Sequence, residues 1–401
     1  MLARRFWFGI LLVLVCAACD SQSPPATTTP TETWVVAWVQ DGDLQIRRPG
    51  EAIHALTEDD IMRVVIAPGG EQIAFTRSDS VGENSLWVIG ANGEGETQLD
   101  TRPYIHQLAW VDAHTLVFTT FAVDELGAMP RNDLYSVDIT TGAVTTVEPG
   151  GQFSISPDGV ALILIDPGAY QTQPGTIRAL SLADIGGTQI TLLEFPAISS
   201  GAGVPFYPTI AWENNQAIRV ALPDPDALYY EGMADAPLVT LWRLSLDGTQ
   251  TVIGQAVCSY FGLPIWSADS TAMVYLRRGD DPNLFTLWTA DGDGSNPALY
   301  FTPATIGELP QVTWINNTQT FLYRSDNAYW ISAPGEPPRR WLDGGEMMLT
   351  EMYQVVDSTL VFSALHADTL ELRYAELDNP AGVSTLIAAS RDLLDFDTQQ
   401  R

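Results

Sequence analysis

Residues 64–99 set a pattern that the rest of the chain repeats. A β-branched run, Val64-Val65-Ile66, stops at Pro68-Gly69-Gly70, and a second apolar run, Ile73 to Phe75, follows at once. Leu86-Trp87-Val88 makes a third, Asn92-Gly93 turns the chain, and Thr97 to Leu99 gives a fourth. Four short strands joined by tight turns fill about 40 residues, the length of one blade in a repeat of sheets. One such sheet buries a single face poorly and exposes two edges, so the unit has to stack on copies of itself.

From Trp34 onward the unit returns eight times. The first, 34–57, has three strands only: WVVAWVQ, LQIRR and AIHAL. The third starts near Tyr104 and the fourth at Phe153. TIAWENNQAIRVAL, LPIWSADSTAMVYL and QVTWINNTQTFLYR open the fifth, sixth and seventh, and the eighth starts near Glu351. Trp110, Trp212, Trp266 and Trp314 close the first strand of their units. Third-strand centres fall at Trp87, Tyr135, Arg178, Trp242, Trp288, Trp330 and Arg373, spaced by 48, 43, 64, 46, 42 and 43 residues. The expected fold is all-β: a β-propeller of four-stranded antiparallel blades, eight in number, or seven if the first unit folds into its neighbour. The first unit lacks an innermost strand. Residues 391–398, with Leu393, Leu394 and Phe396, are expected to supply it beside 34–40 and so close the ring.

The amino-terminal segment reads differently. Arg4 and Arg5 precede ten apolar residues, 6–15, too few for a spanning helix and right for a signal-peptide core. Cys16-Ala17-Ala18-Cys19 follows and resembles the lipobox of bacterial lipoproteins, departing from it at Cys16, where an aliphatic residue is usual. The resemblance implies that 1–18 is a signal peptide and that Cys19 is acylated, palmitate included. The chain is then exported and held by lipid on the outer face of the cell membrane, in a bacterial envelope. Residues 19–33, rich in Thr and Pro, read as a flexible linker, and 34–401 as the propeller domain.

The units at 66–75 and 154–165 resemble the TolB-like, WD40-like family of propeller repeats. Ser156-Pro157-Asp158-Gly159 matches its turn fully and Pro68-Gly69-Gly70 loosely; Trp242 with Asp247-Gly248, and Trp288 with Asp291, match its second half. This resemblance implies the fold and carries no partner with it.

Composition narrows function by exclusion. Lysine is absent, and 19 arginines face 49 acids for a net charge of −30. Such a surface repels phosphate backbones, so nucleic acid is not an expected partner. Cys258 is the single cysteine of the body and reads as a small buried hydrophobe. His54, His106, His114 and His366 are scattered over four units, and no G-x-S-x-G occurs. No catalytic residue, cofactor or metal is therefore expected. Asp291, Asp293 and Ser295 stand at alternate positions, like the start of a calcium loop. However, Asn296 takes the place of the turn glycine and no Glu closes the loop, so turn chemistry is the expectation.

In an up-and-down blade, the loops between strands two and three share a face with the links between blades. The long insertions 122–132, 167–175, 223–237 and 277–282, and the links 195–206 and 258–263, fall there. They gather Tyr170, Phe206, Tyr207, Tyr229, Tyr230, Tyr260 and Phe261 among acids such as Glu231. Aromatics among acids on loops held by a rigid scaffold suit recognition. The expected function is a monomeric binding or scaffolding module for another envelope protein or a wall component. The alternative is a hydrolase or lyase acting on envelope or extracellular carbohydrate or peptide, with paired carboxylates at the channel.

Overall fold

Each unit forms one four-stranded antiparallel sheet, and there are eight sheets. In this computed structural model residues Thr33–Arg401 form the ring-building unit. The structure describes residues 34–401 except 79–83, 103, 124–129, 150, 169–173, 185–186, 199–207, 224–237, 260–261, 280, 282–283, 304–310, 316–317, 391 and 401. The innermost strands of blades two to eight are Ile61–Ile66, Ile105–Trp110, Gln152–Ile155, Thr209–Asn214, Ile265–Trp266, Gln311–Trp314 and Met348–Val356. The third-strand markers Trp87, Tyr135, Arg178, Trp242, Trp288, Trp330 and Arg373 each lie in the third strand of their blade.

Blade one is built from both ends of the ring-forming chain. Trp34–Gln40, Asp43–Arg47 and His54–Thr57 are joined on the inside by Leu393–Gln400, which pairs antiparallel to Trp34–Gln40 with Trp38 opposite Phe396. Leu393 and Phe396 are buried, as the closing role requires; the side chain of Leu394 lies outside the described residues. The eighth blade starts at Met348, slightly before Glu351, because its inner strand carries a bulge between Leu349 and Tyr353.

The pleat explains why these sheets stack. Successive side chains of a strand point to opposite faces, and here each face meets a neighbouring blade. Leu108 and Trp110 pack with blade two, while Ala109 packs toward blade four. The described core accordingly falls into eight clusters, each shared between two adjacent blades. The cluster of Trp34, Val36, Trp38 and Phe396 with Val356, Val361 and Leu372 joins blade one to blade eight. Burying one such side chain contributes about 1.5–3 kcal/mol, so each blade is stabilised chiefly by its neighbours.

The turn chemistry repeats as well. Ser156 Oγ accepts the N–H of Ala161 at 2.9 Å and donates to Asp158 at 2.6 Å. Ser267 makes the same bonds with Ala272 and Asp269. The fourth position of this turn has positive φ: Gly159 takes it at 68° and Ser270 at 59°.

Candidate functional site

The two rims of the ring differ. At one rim the turns between strands two and three touch the inter-blade links. Asp41 N–H donates to Asp392 O at 2.9 Å, Ile61 N–H to Gly42 O at 3.0 Å, and Gly344 N–H to Asn327 O at 3.0 Å. Pro223 pairs with Val239 and Asp166 with Thr176, so the connections after Pro223 and Asp166 leave and re-enter the ring at this rim. Trp34 and Gln400 are paired at the opposite rim, where the turns between strands one and two lie.

The aromatic and acidic positions singled out for this rim, Tyr170, Phe206, Tyr207, Tyr229, Tyr230, Glu231, Tyr260 and Phe261, lie outside the described residues, as does Cys19. Their attachment points are fixed by the strands on either side.

The axis of the ring is lined by strands whose inner edges have no fifth strand to pair with, and unpaired backbone groups there are costly. Side chains of the adjacent blade cover these edges. Gln107 of blade three accepts from Phe153 N–H at 3.2 Å and donates to Phe153 O at 3.1 Å in blade four. Gln354 of blade eight accepts from Thr398 N–H at 3.0 Å and donates to Phe396 O at 3.1 Å on the closing strand. The closing strand repeats the move toward blade two. Asp395 accepts from Val64 N–H at 3.0 Å, and Asp397 accepts from Ile66 N–H at 2.7 Å. Tryptophans bond in the other direction: Trp110 Nε1 donates to Val65 O, Trp212 Nε1 to Ser154 Oγ and Trp314 Nε1 to Ile265 O, each in the preceding blade.

Asp395 and Asp397 form a carboxylate pair on one face of an innermost strand, two residues apart. Burial raises both above the ordinary aspartate range and takes Asp397 to about 6, against the pull of its backbone amide bonds. Sequence reasoning missed the pair. The signal was present in Asp395-Phe396-Asp397, where alternation puts both acids on the face opposite the buried Phe396.

The Asp291 segment is a packing turn. Asp291 accepts from Ser295 Oγ and Asn296 Nδ2 at 3.1 and 2.7 Å, and Asp293 accepts from Ser295 N–H at 2.9 Å. Gly292 O takes bonds from Arg219 of blade five at 2.7 Å and from Trp266 at 2.9 Å. Blade five comes so close that a Cβ on Gly254 would stand 1.8 Å from Asp293 O, and one on Gly292 would stand 2.0 Å from Ser270 O. The carboxylates stabilise the turn that this approach requires. Among the described residues no three of His, Cys, Asp and Glu are grouped to hold a metal.

No activated nucleophile emerges from the remaining candidates. Cys258 is fully buried among apolar residues, and burial pushes its thiol up to about 12. His54 and His114 are exposed, and the side chain of His106 lies outside the described residues. His366 Nδ1 stands 3.5 Å from Glu371, whose carboxylate is held by Arg373.

No family model matches the sequence, and no curated protein matches it. Solved structures do. The β-propeller domain of the Trilobed protease from Pyrococcus furiosus, which has an open velcro topology, is 12% identical at a TM-score of 0.50, over 82% of this chain and 99% of that one. An acylaminoacyl peptidase in complex with Z-Gly-Gly-Phe-chloromethyl ketone is 13% identical at a TM-score of 0.49; the match covers 71% of this chain, which spans 46% of that one. TolB from Acinetobacter baumannii is 15% identical at a TM-score of 0.35, over 65% of this chain and 61% of that one. The likeness to the Trilobed protease domain is one of fold: the molecule is an eight-bladed β-propeller, its ring closed by pairing of the carboxy-terminal strand with blade one.

Proposed function

We propose that this chain is a lipid-anchored, extracytoplasmic β-propeller that serves as a binding or scaffolding module for a protein or cell-envelope partner. Acylation at Cys19 ties it to the outer face of the membrane, and the Thr/Pro-rich linker joins the ring at Trp34. One observation carries the reading. The linker's junction lies on the rim of strand one–two turns, while the long connections leave from the opposite rim. A tether at one rim leaves the other available to a partner, and the aromatics and acids expected from the sequence of those connections suit a cationic or sugar-like surface.

The test is capture from membranes with the tethered protein as bait. Combined Tyr229→Ala, Tyr230→Ala and Glu231→Ala is expected to abolish capture with the melting temperature unchanged; undiminished capture by the triple variant would overturn the binding face. Cys19→Ser is expected to move the protein to the soluble fraction and to end palmitate labelling.

The second reading, a hydrolase or lyase, draws support from Asp395 and Asp397, a carboxylate pair near the axis with one member held near neutral pH. Both carboxylates already take a backbone amide, which favours a part in closing the ring.

A further inference from the structure

The closing strand is fastened on both sides by side chains that cover backbone edges. On the blade-eight side the clamp is Gln354, a neutral amide. On the blade-two side the same task falls to two acids, Asp395 and Asp397. An amide stays neutral at every pH, whereas a carboxyl gains a charge as pH rises. We infer that Asp395 and Asp397 make the ring closure a proton-controlled latch, firmer when they are protonated and looser when both are ionised.

The surroundings of the pair support this. On the blade-two strand the charged group acting on Asp395 is Arg63. Trp34–Gln40, the strand to which the latch strand is paired, contains no titratable side chain. From blade eight, Gln354 also bonds Asp397, while Glu351 turns to Arg324 of blade seven. Asp397 therefore faces amides, a neutral side chain and a second acid, whose charge disfavours its own ionisation. A protonated carboxyl still accepts the backbone N–H through its carbonyl oxygen, so protonation removes a half-buried charge without breaking the bond.

The sign follows from linkage. In the unfolded chain Asp397 ionises near 3.8; in the closed ring it holds its proton until about pH 6. Its contribution to closure is complete below the unfolded value and is lost as pH rises through about 6. Asp395 shifts the same way. The difference at Asp397 alone corresponds to about a 60-fold change in the closing equilibrium between pH 4 and pH 7.5, and about 25-fold from pH 4.5.

Amide hydrogen exchange on the full chain reads the latch directly. Protection factors, corrected for the intrinsic pH dependence of exchange, are measured for Val64 and Ile66 and for the peptide containing 393–400. In the unaltered protein they are expected to fall by about 25-fold from pH 4.5 to pH 7.5, while those of Ile163 and Leu164 in blade four hold steadier. In D395N/D397N, which keeps an accepting oxygen at each site, protection at Val64 and Ile66 is expected to be high and flat across this range. A fall of the same size in the double variant would overturn the proposal, as would flat protection in the unaltered protein. If the double variant fails to fold, D397N alone is read the same way, with the fall expected to shrink severalfold. None of these outcomes depends on partner capture, so the latch and the binding reading fail separately.

Discussion

Single positions tell most where two repeats solve the same problem differently. Gly159 and Ser270 occupy the same place in the same turn, both at positive φ. Glycine adopts that conformation without penalty, whereas a residue with a Cβ is disfavoured by roughly 1–2 kcal/mol. Ser270 is also 1% exposed, and among the described residues its hydroxyl finds no hydrogen-bond partner. Ser270→Gly is therefore expected to stabilise the protein by about 1 kcal/mol, net of the extra freedom glycine gives the unfolded chain. Denaturant unfolding measures this as a higher midpoint at unchanged slope, and a lower midpoint would contradict it. At the same scale, Asp291, Asp293 and Asn296 were ambiguous in the sequence. Closely spaced carboxylates, amides and glycines build calcium loops and tight hairpins alike, and what separates the two is the approach of Gly254 from another blade. A contact between residues nearly forty apart leaves no local trace.

The strand most open to test is Leu393–Gln400. Removing 391–401 takes the inner strand from blade one, exposes the edge of Trp34–Gln40 and uncovers Trp34, Trp38 and Val36. It also removes the acids that cover Val64 and Ile66. Losing Leu393 and Phe396 alone costs about 3–6 kcal/mol by burial, so the melting temperature is expected to fall by at least about 5 °C. An unchanged melting curve would refute the closure. Strands, blade number and closure were legible in the sequence, because alternation, turn residues and a three-stranded first unit are local signals. The lateral bonds of Gln107, Gln354, Asp395 and Asp397 were not. Which neighbour a side chain meets depends on the parity of its strand within a closed ring, and parity acquires that meaning only once the ring exists. The positions proposed for recognition sit in connections that no pleat or period constrains, so only their points of attachment could be inferred.

For the molecule as a whole, charge and topology set the terms. A net charge of −30 is mutually repulsive in the folded ring, and acids outnumber arginines 49 to 19. Raising sodium chloride from about 0.02 to 0.5 M shortens the screening length severalfold and is expected to raise the melting temperature by several degrees. A fall would show that ion pairs such as Arg77–Glu96 outweigh the repulsion. Topology has a different consequence. Because blade one takes its inner strand from residues 393–400, its strands at 34–57 wait for a segment that is made only after the seven other blades. Until 393–400 are made, the hydrophobic edge of Trp34–Gln40 lacks this mate. A polypeptide cut short anywhere upstream of 393 keeps that edge bare, as prey for proteases and a seed for aggregates, so the codons for 393–400 act as proofreading for the ring.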